Sequence, residues 1–349
     1  MFDNSTSQPG KMGWGTELFN EAQRLITERI GFAKLAMAVD ESYLFRHLPK
    51  TVVNTDLMTS VKRLMELDGI DISAGSFSFM HLERCIFGDI IPWRAQIIGS
   101  CVASGGMIAT VGRCLVEAFL VQQPEQLFGN EWIGPDNFAP WAPANYRAGR
   151  DRGGLNGNMD GSFCAPHVQG EMEYGYLMCN VVKEGEGYND DWFPEPQSGS
   201  TYRQWGANNR LIDKYENTVK AKLLESEKVV DADESVKLQT VHFKPHQICS
   251  SWGFAPTETI AGWTWMGQPV YQYRRRGSWA HNMTVYGAVK VNGQWWVMIR
   301  NSWGMDAHKN GCWFAVSIED YAAWLRQAEV MSKGDIDLPD IEFGNPFPI

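Results

Sequence analysis

Apolar residues recur at steps of three and four over residues 16–38, at Phe19, Ala22, Ile26, Ile30, Ala33 and Met37, with Thr16 at the N-cap position. That spacing paints one face of a 3.6-residue helix and predicts an amphipathic helix. A shorter helix is predicted over 56–67 through Leu57, Val61, Leu64 and Met65, and 69–78 then reads as a loop. Residues 1–90 therefore read as a mainly helical extension. Residues 95–112 hold no charge, which raises the question of a membrane span. Gln96, Ser100, Ser104, Thr110 and four glycines make the stretch too polar for lipid, so it predicts a buried helix, over about 101–122 and stopped by Pro124. Residues 129–210, rich in Gly, Asn, Asp, Pro and aromatics, predict irregular chain around one helix at 166–174. A solvated helix is predicted at 213–229, with Glu216 and Lys220 four apart on one face.

From about 236 the period changes. Residues 284–291 and 294–300 are rich in Val, Trp and Ile and flank Asn292-Gly293, a pair that tolerates the positive φ of a two-residue hairpin turn. A helix returns at 316–328, and 334–349 is an acidic, Pro-containing tail without periodicity. A helical part followed by a strand-rich part predicts the α+β class with segregated layers. The division expected is an extension over 1–90, a helical subdomain over 91–235, a β-rich one over 236–330 and a tail over 331–349.

Composition narrows the partners. With 349 residues, 44% of them hydrophobic and 21% charged, the chain has the length and makeup for two small globular domains. Its net charge of -10 argues against nucleic-acid backbone as the main partner. The 15 tryptophans point to aromatic-lined clefts or interfaces as well as core mass. Cysteines 85, 101, 114, 164, 179, 249 and 312 are odd in number and lack paired spacing, so reduced thiols and a reducing compartment such as the cytoplasm are expected. Residues 1–15 show no apolar run behind a basic start, and no secretory signal or membrane span is expected. No metal or cofactor is expected either. His242, His246 and Cys249 come nearest to a zinc set, but Pro245 prevents presentation on one helix face and no fourth ligand is near. The glycines from Gly99 to Gly106 lack the Lys-Ser/Thr ending of a phosphate-binding loop. Arg274, Arg275 and Arg276 read first as a solvated loop and second as a contact for an anion or acidic partner.

Thiol chemistry has a candidate in Cys101, which follows Gly99-Ser100 and opens a helix. Free N–H groups at a helix start favour a thiolate, and an imidazolium beside it does the same. His281 begins a strand and Asn301 ends its hairpin partner, so the turn at 292–293 carries Asn301 back toward His281. Asn301 could then accept the Nδ1–H of the imidazole and fix its tautomer. A strict two-residue turn pairs Asn301 with Thr284 and leaves His281 three residues out of register. A bulge or altered pairing is required.

Gln96 … Gly99-Ser100-Cys101 at the head of a helix, His281 before an apolar strand, Asn301-Ser302-Trp303-Gly304, and Asn310-Gly311-Cys312-Trp313 together resemble the papain-like cysteine peptidases. The resemblance covers residues 91–318 in outline. It implies a papain-like fold, with a helical left-hand subdomain built on the Cys-bearing helix and a β-rich, barrel-like right-hand one. It implies a thiol hydrolase that cleaves peptide or isopeptide bonds of a polypeptide through a Cys101 acyl-enzyme, with no cofactor. Cys101 would be nucleophile, His281 general base and then acid, and Asn301 its orienter. Trp303 would cover the His281–Asn301 bond, and Gln96 with the Cys101 N–H would form the oxyanion hole. Gly161-Ser162 stands where the family binds substrate with a Gly-Gly pair, and Gly153-Gly154 competes for that place. The chain departs from the family in several ways. Gln96 lies one residue closer to the cysteine than is usual, Val102 replaces a Trp, and Ile98 stands where extracellular members have a disulfide cysteine. Residues 1–90 lack the signature of the family's inhibitory pro-regions. The second reading is a structural or assembly protein on the same fold with an idle triad, such as a component of a phage or viral particle. Its polar start and acidic end would be held by neighbouring chains.

Overall fold

The computed structural model describes residues 55–93, 95–121, 139–155, 160–179, 181–182, 199–207 and 221–337. The predicted helix at 16–38, the end of the one reaching residue 122, Glu216 with Lys220, and most of the acidic tail lie outside the described residues.

Helix α1 (Thr55–Leu67) buries Leu57, Val61, Leu64 and Met65, the stripe its spacing predicts. The stretch read as a loop holds a 3-10 turn at Ile72–Ala74, capped by Asp71, and a short strand, β1 (Phe77–Ser78). Helix α2 (Phe79–Phe87) follows directly. Its first turn is capped by the Ser78 hydroxyl, and Gly88 ends it in the left-handed region at φ 82. Helix α3 (Cys101–Leu115) continues as a π turn, Val116–Val121. The segment Cys101–Leu120 is long and apolar enough to cross a membrane, but 94% of its most apolar window is buried in protein, as a central core helix requires.

Helix α4 (Ala142–Arg152) packs against both α5 (Cys164–Tyr174) and α6 (Gly199–Ala207), and α4 and α5 also pack against α3. The region expected to hold one helix therefore holds these three among its described residues. The buried face of α4 is built from Asn145, Tyr146, Arg147 and Arg150, which leave no apolar stripe to read. The described end of the predicted 213–229 helix is not helical. It forms β2 (Lys222–Leu223), and the helix here is α7 (Ala232–Thr240), started by the Asp231 carboxylate on the N–H groups of Asp233 and Glu234.

Strands β3 (His246–Trp265), β4 (Gln268–Val291), β5 (Gln294–Arg300) and β6 (Trp313–Ser317) follow, then α8 (Ile318–Leu325), β7 (Glu329–Ser332) and β8 (Ile336–Asp337). The main sheet runs β5-β6-β4-β3-β7, with β1 and β5 also on β4, while β2 pairs with β8. Helices gathered before a sheet make this an α+β protein, as the change of period predicts. Among the described residues, however, the β-rich part forms no closed barrel, although β4 pairs with both β5 and β6. Its longest element is the β3–β4 ribbon, whose register shifts four times along its length. Arg274, Arg275 and Arg276 lie in β4 of this ribbon, not in a loop. Along 256–259 and 274–278 the ribbon has water on both faces, so no period of two marks that stretch; Arg275 covers the Trp252 ring there at 4.0 Å.

One hydrophobic core joins α1, α2 and α3 to one face of the sheet, and a second joins the opposite face to α8. The segment 55–87 belongs to the first core. Its Glu83, fully buried, binds the equally buried Arg300 of β5 at 2.6 and 2.7 Å. Cys164 and Cys249 form a disulfide that ties α5 to β3, with Cα atoms 6.2 Å apart. The expectation of seven reduced thiols therefore fails for these two, because the fold juxtaposes cysteines 85 residues apart that no local spacing links.

Candidate active site

Cys101 opens α3 behind Ser100, whose side chain makes no capping bond, so the first-turn N–H groups are not taken by a cap. The thiol is half-buried. Burial pushes its pKa up, against the opposing pull of the N–H groups of Asn282, Val102 and Cys101 itself. The helix start is held on β4 by side chains of the even-numbered strand residues. Asn282 Nδ2 donates to the carbonyls of Cys101 and Val102 at 3.2 Å, and Thr284 Oγ1 donates to that of Gly105 at 2.7 Å. A Cβ on Gly105 would stand 2.4 Å from Asn282 Nδ2, so this approach needs a glycine. The nucleophile candidate thus lies against the strand position next to His281.

The hairpin supplies the rest. Asn292 and Gly293, at φ 50 and 81, make the predicted two-residue turn and pair Val291 with Gln294. The strict register holds to Ala288 opposite Val297, and a bulge then shifts it by one, setting Thr284 opposite Arg300. One further step sets Asn301 opposite Met283, on the face that also carries His281 two residues on. That diagonal is within side-chain reach, whereas the unbulged register puts the two side chains on opposite faces. His281 Nε2 bonds Asn301 Oδ1 at 2.7 Å. The expectation had Nδ1 in this bond; the structure uses the other nitrogen, Nε2, and Nδ1 takes no part in it.

Trp303 stacks on the His281 ring with centroids 4.4 Å apart, and Trp279 meets Trp303 edge-on at 5.0 Å. Asn301 is fully buried; its Oδ1 also accepts the Ser302 N–H at 2.7 Å, and its Nδ2 lies 2.9 Å from His308 Nε2. Burial pushes His281 down to about 4, against the opposing pull of the Asn301 bond. His308 is held at about 4 by burial and by the charge His281 can carry. Burial thus favours the neutral form of both thiol and imidazole. The helix start alone suggested a thiolate, but burial outweighs it.

Gln96 is braced against the Asn301 segment: its N–H donates to the Ser302 carbonyl at 2.9 Å, and its Oε1 accepts the Ser302 hydroxyl at 2.6 Å. Its Nε2 donates to the Ile98 carbonyl at 3.1 Å, which uses one of two N–H groups. Asp160, pinned by Arg203 at 2.7 and 3.1 Å, faces the Gly99 N–H at 3.5 Å. Gly161 beside it is fixed by the Tyr146 hydroxyl and by Arg150. The Gly161-Ser162 pair thus adjoins the loop that leads into Cys101, while Gly153-Gly154 closes α4. His246 is buried against the Ser235 carbonyl and Cys249 is in the disulfide, so the zinc candidates are engaged elsewhere. Sequence reasoning missed Asn282 and His308. A polar residue at the head of a Val-rich strand marked Asn282, whereas nothing local marked His308.

No family model matches the chain, and no curated protein is similar to it. Among solved structures it is similar to xylellain, a cysteine protease from Xylella fastidiosa, at 17% identity and a TM-score of 0.43, covering 70% of this chain and 83% of that one. It is also similar to procathepsin B S9 from Trypanosoma congolense, at 13% and 0.43, covering 76% of this chain and 78% of that one. A third is digestive procathepsin L 3 of Tenebrio molitor larval midgut, at 11% and 0.41, covering 90% and 89%.

Proposed function

We propose that the chain is a papain-like thiol hydrolase that cleaves peptide or isopeptide bonds of a polypeptide through an acyl-enzyme on Cys101. The observation that carries this reading is the 2.7 Å bond from His281 to Asn301 beneath the Trp303 ring, beside the helix start that bears Cys101. With Nε2–H held by Asn301, Nδ1 keeps its lone pair and takes the thiol proton. The sulfur then attacks the carbonyl carbon, and the imidazolium returns the proton to the leaving amine. The Cys101 N–H and the remaining N–H of Gln96 are the donors for the oxyanion. Because burial favours the neutral form of both groups, His281 acts as a base during attack. An idle triad on a structural protein would favour the same neutral forms, and one experiment separates the two. The full chain is treated with a haloacetamide or epoxide at pH 7, and adducts are located by mass. Cys101 should label first, since Cys85, Cys114, Cys179 and Cys312 are buried. His281→Ala should slow it about a hundredfold. Labelling of Cys101 no faster than the buried thiols, or unchanged by His281→Ala, refutes the enzyme.

A further inference from the structure

Asn301 sits between two imidazoles, and the donors around it decide which of its ends is oxygen. The Ser302 N–H can only donate, so the atom it meets at 2.7 Å is the carbonyl oxygen, the same atom that accepts from His281 Nε2. The opposite end is the NH2 group, a donor, and it meets His308 Nε2 at 2.9 Å. That nitrogen can accept only while it carries no proton.

We propose that His308 is a positioning residue: as neutral imidazole it locks the amide of Asn301, and through it the tautomer of His281, and on protonation it releases both. Once protonated, His308 would present an N–H to the Asn301 NH2. The amide would turn over and offer NH2 to two groups that need an acceptor, the Ser302 N–H and His281 Nε2–H. The proposal rests on reading His281 as the base.

The loop that carries His308 is built to hold it still. His308 and Gly311 exchange two backbone bonds at 2.8 and 3.0 Å. Asn310 bonds both backbone groups of Tyr271, at 2.7 and 2.9 Å. The titratable groups that face the ring are Tyr273 of β4, edge-on at 5.4 Å with its hydroxyl engaged by the Lys309 N–H, and His281. Phe314 of β6 and Trp303 complete the enclosure at 4.9 and 6.2 Å. Among the described residues no carboxylate pairs with the ring, so nothing offsets its burial.

The test is ring-nitrogen NMR of the full chain, comparing wild type with His308→Gln, which keeps an acceptor but no titrating proton, and with His308→Phe, which keeps neither. At pH 7, wild type and H308Q should show His281 protonated at Nε2 alone, with that proton protected from exchange, and H308F a mixture of tautomers. On acidification wild type should lose the protected proton as His308 charges, whereas H308Q should keep it about one pH unit lower or more. A single Nε2–H tautomer in H308F, or loss of the proton at one pH in both wild type and H308Q, overturns the proposal. The readout is independent of Cys101 labelling: inert Cys101 sinks the enzyme and leaves this measurement intact, and the converse holds equally.

Discussion

Glu83→Gln removes the counter-charge of Arg300 and should cost about 3–5 kcal/mol of stability. Both side chains are fully buried, one on α2 and the other at the end of β5. The carboxylate serves four bonds: two to Arg300 Nη1 at 2.7 and 2.6 Å, one from the Tyr286 hydroxyl at 2.6 Å, and one from the Ile91 N–H at 2.9 Å. A Gln amide offers one oxygen to these donors and turns an NH2 toward the guanidinium. At least one buried donor is then orphaned, at about 1–3 kcal/mol, beside the uncompensated charge. Against a total of about 5–15 kcal/mol this is a large fraction. Glu83→Leu combined with Arg300→Met removes both charges and orphans only the neutral Tyr286 and Ile91 groups, so the double variant should be more stable than Glu83→Leu alone. Urea unfolding followed by tryptophan fluorescence measures both. Loss below about 1 kcal/mol in Glu83→Gln, or a double variant equal to the sum of the singles, refutes the buried pair. The same pair ties α2 to β5, the strand that ends one residue before Asn301.

Acid and redox conditions give two more tests. Burial pushes His246, His281 and His308 down to about 4, so the unfolded chain takes up protons first as pH falls below 6.5. Stability should be full above that pH and fall toward 4, by about 2 kcal/mol for each histidine between pH 7 and 5, with part returned by Glu117 and Glu171, which burial raises. Unchanged urea midpoints over that range refute the buried neutral histidines. The Cys164–Cys249 bond joins residues 85 apart, so replacing both by Ser should cost about 4–5 kcal/mol on the chain-entropy account. Titration of the unfolded, unreduced chain should find the five free thiols, and seven would refute the disulfide.

The elements legible in the sequence are those whose burial leaves a hydrophobic pattern. Leu57, Val61, Leu64 and Met65 mark α1 because only that face meets the core, and 284–291 reads as a strand because it is rich in Val and buried on both faces. Helix α4 escaped because it buries Arg147 and Arg150 by hydrogen bonding, not by hydrophobicity. The ribbon of β3 and β4 escaped because residues 256–259 and 274–278 are exposed in unbroken runs, so no alternation marks its middle. In the candidate site the residue types and their order pointed to Cys101, His281 and Asn301. The ionisation of the pair did not follow from them: a helix start favours the thiolate by an amount that local sequence suggests, while burial is a property of the whole fold and works against it.

The register of the hairpin had a sequence sign of its own. Before the bulge, Asn282, Thr284 and Tyr286 face α3 and the first core; after it, Val289 and Val291 do, so the strand changes phase between them. Gly287 lies at that change, paired with Ser78 of β1, where a Cβ would come within 3.0 Å of the Phe77 carbonyl and 3.1 Å of the Ser78 Cα. A glycine inside a Val-rich strand marks either a bulge or the close approach of another backbone, and here it marks both. Placing one extra residue at Gly287 shifts Asn301 from Thr284 to Met283, and that single step brings the amide to the face of His281. The mismatch that the two-residue turn creates is thus resolved by the same glycine that lets the 55–87 segment pair with the sheet.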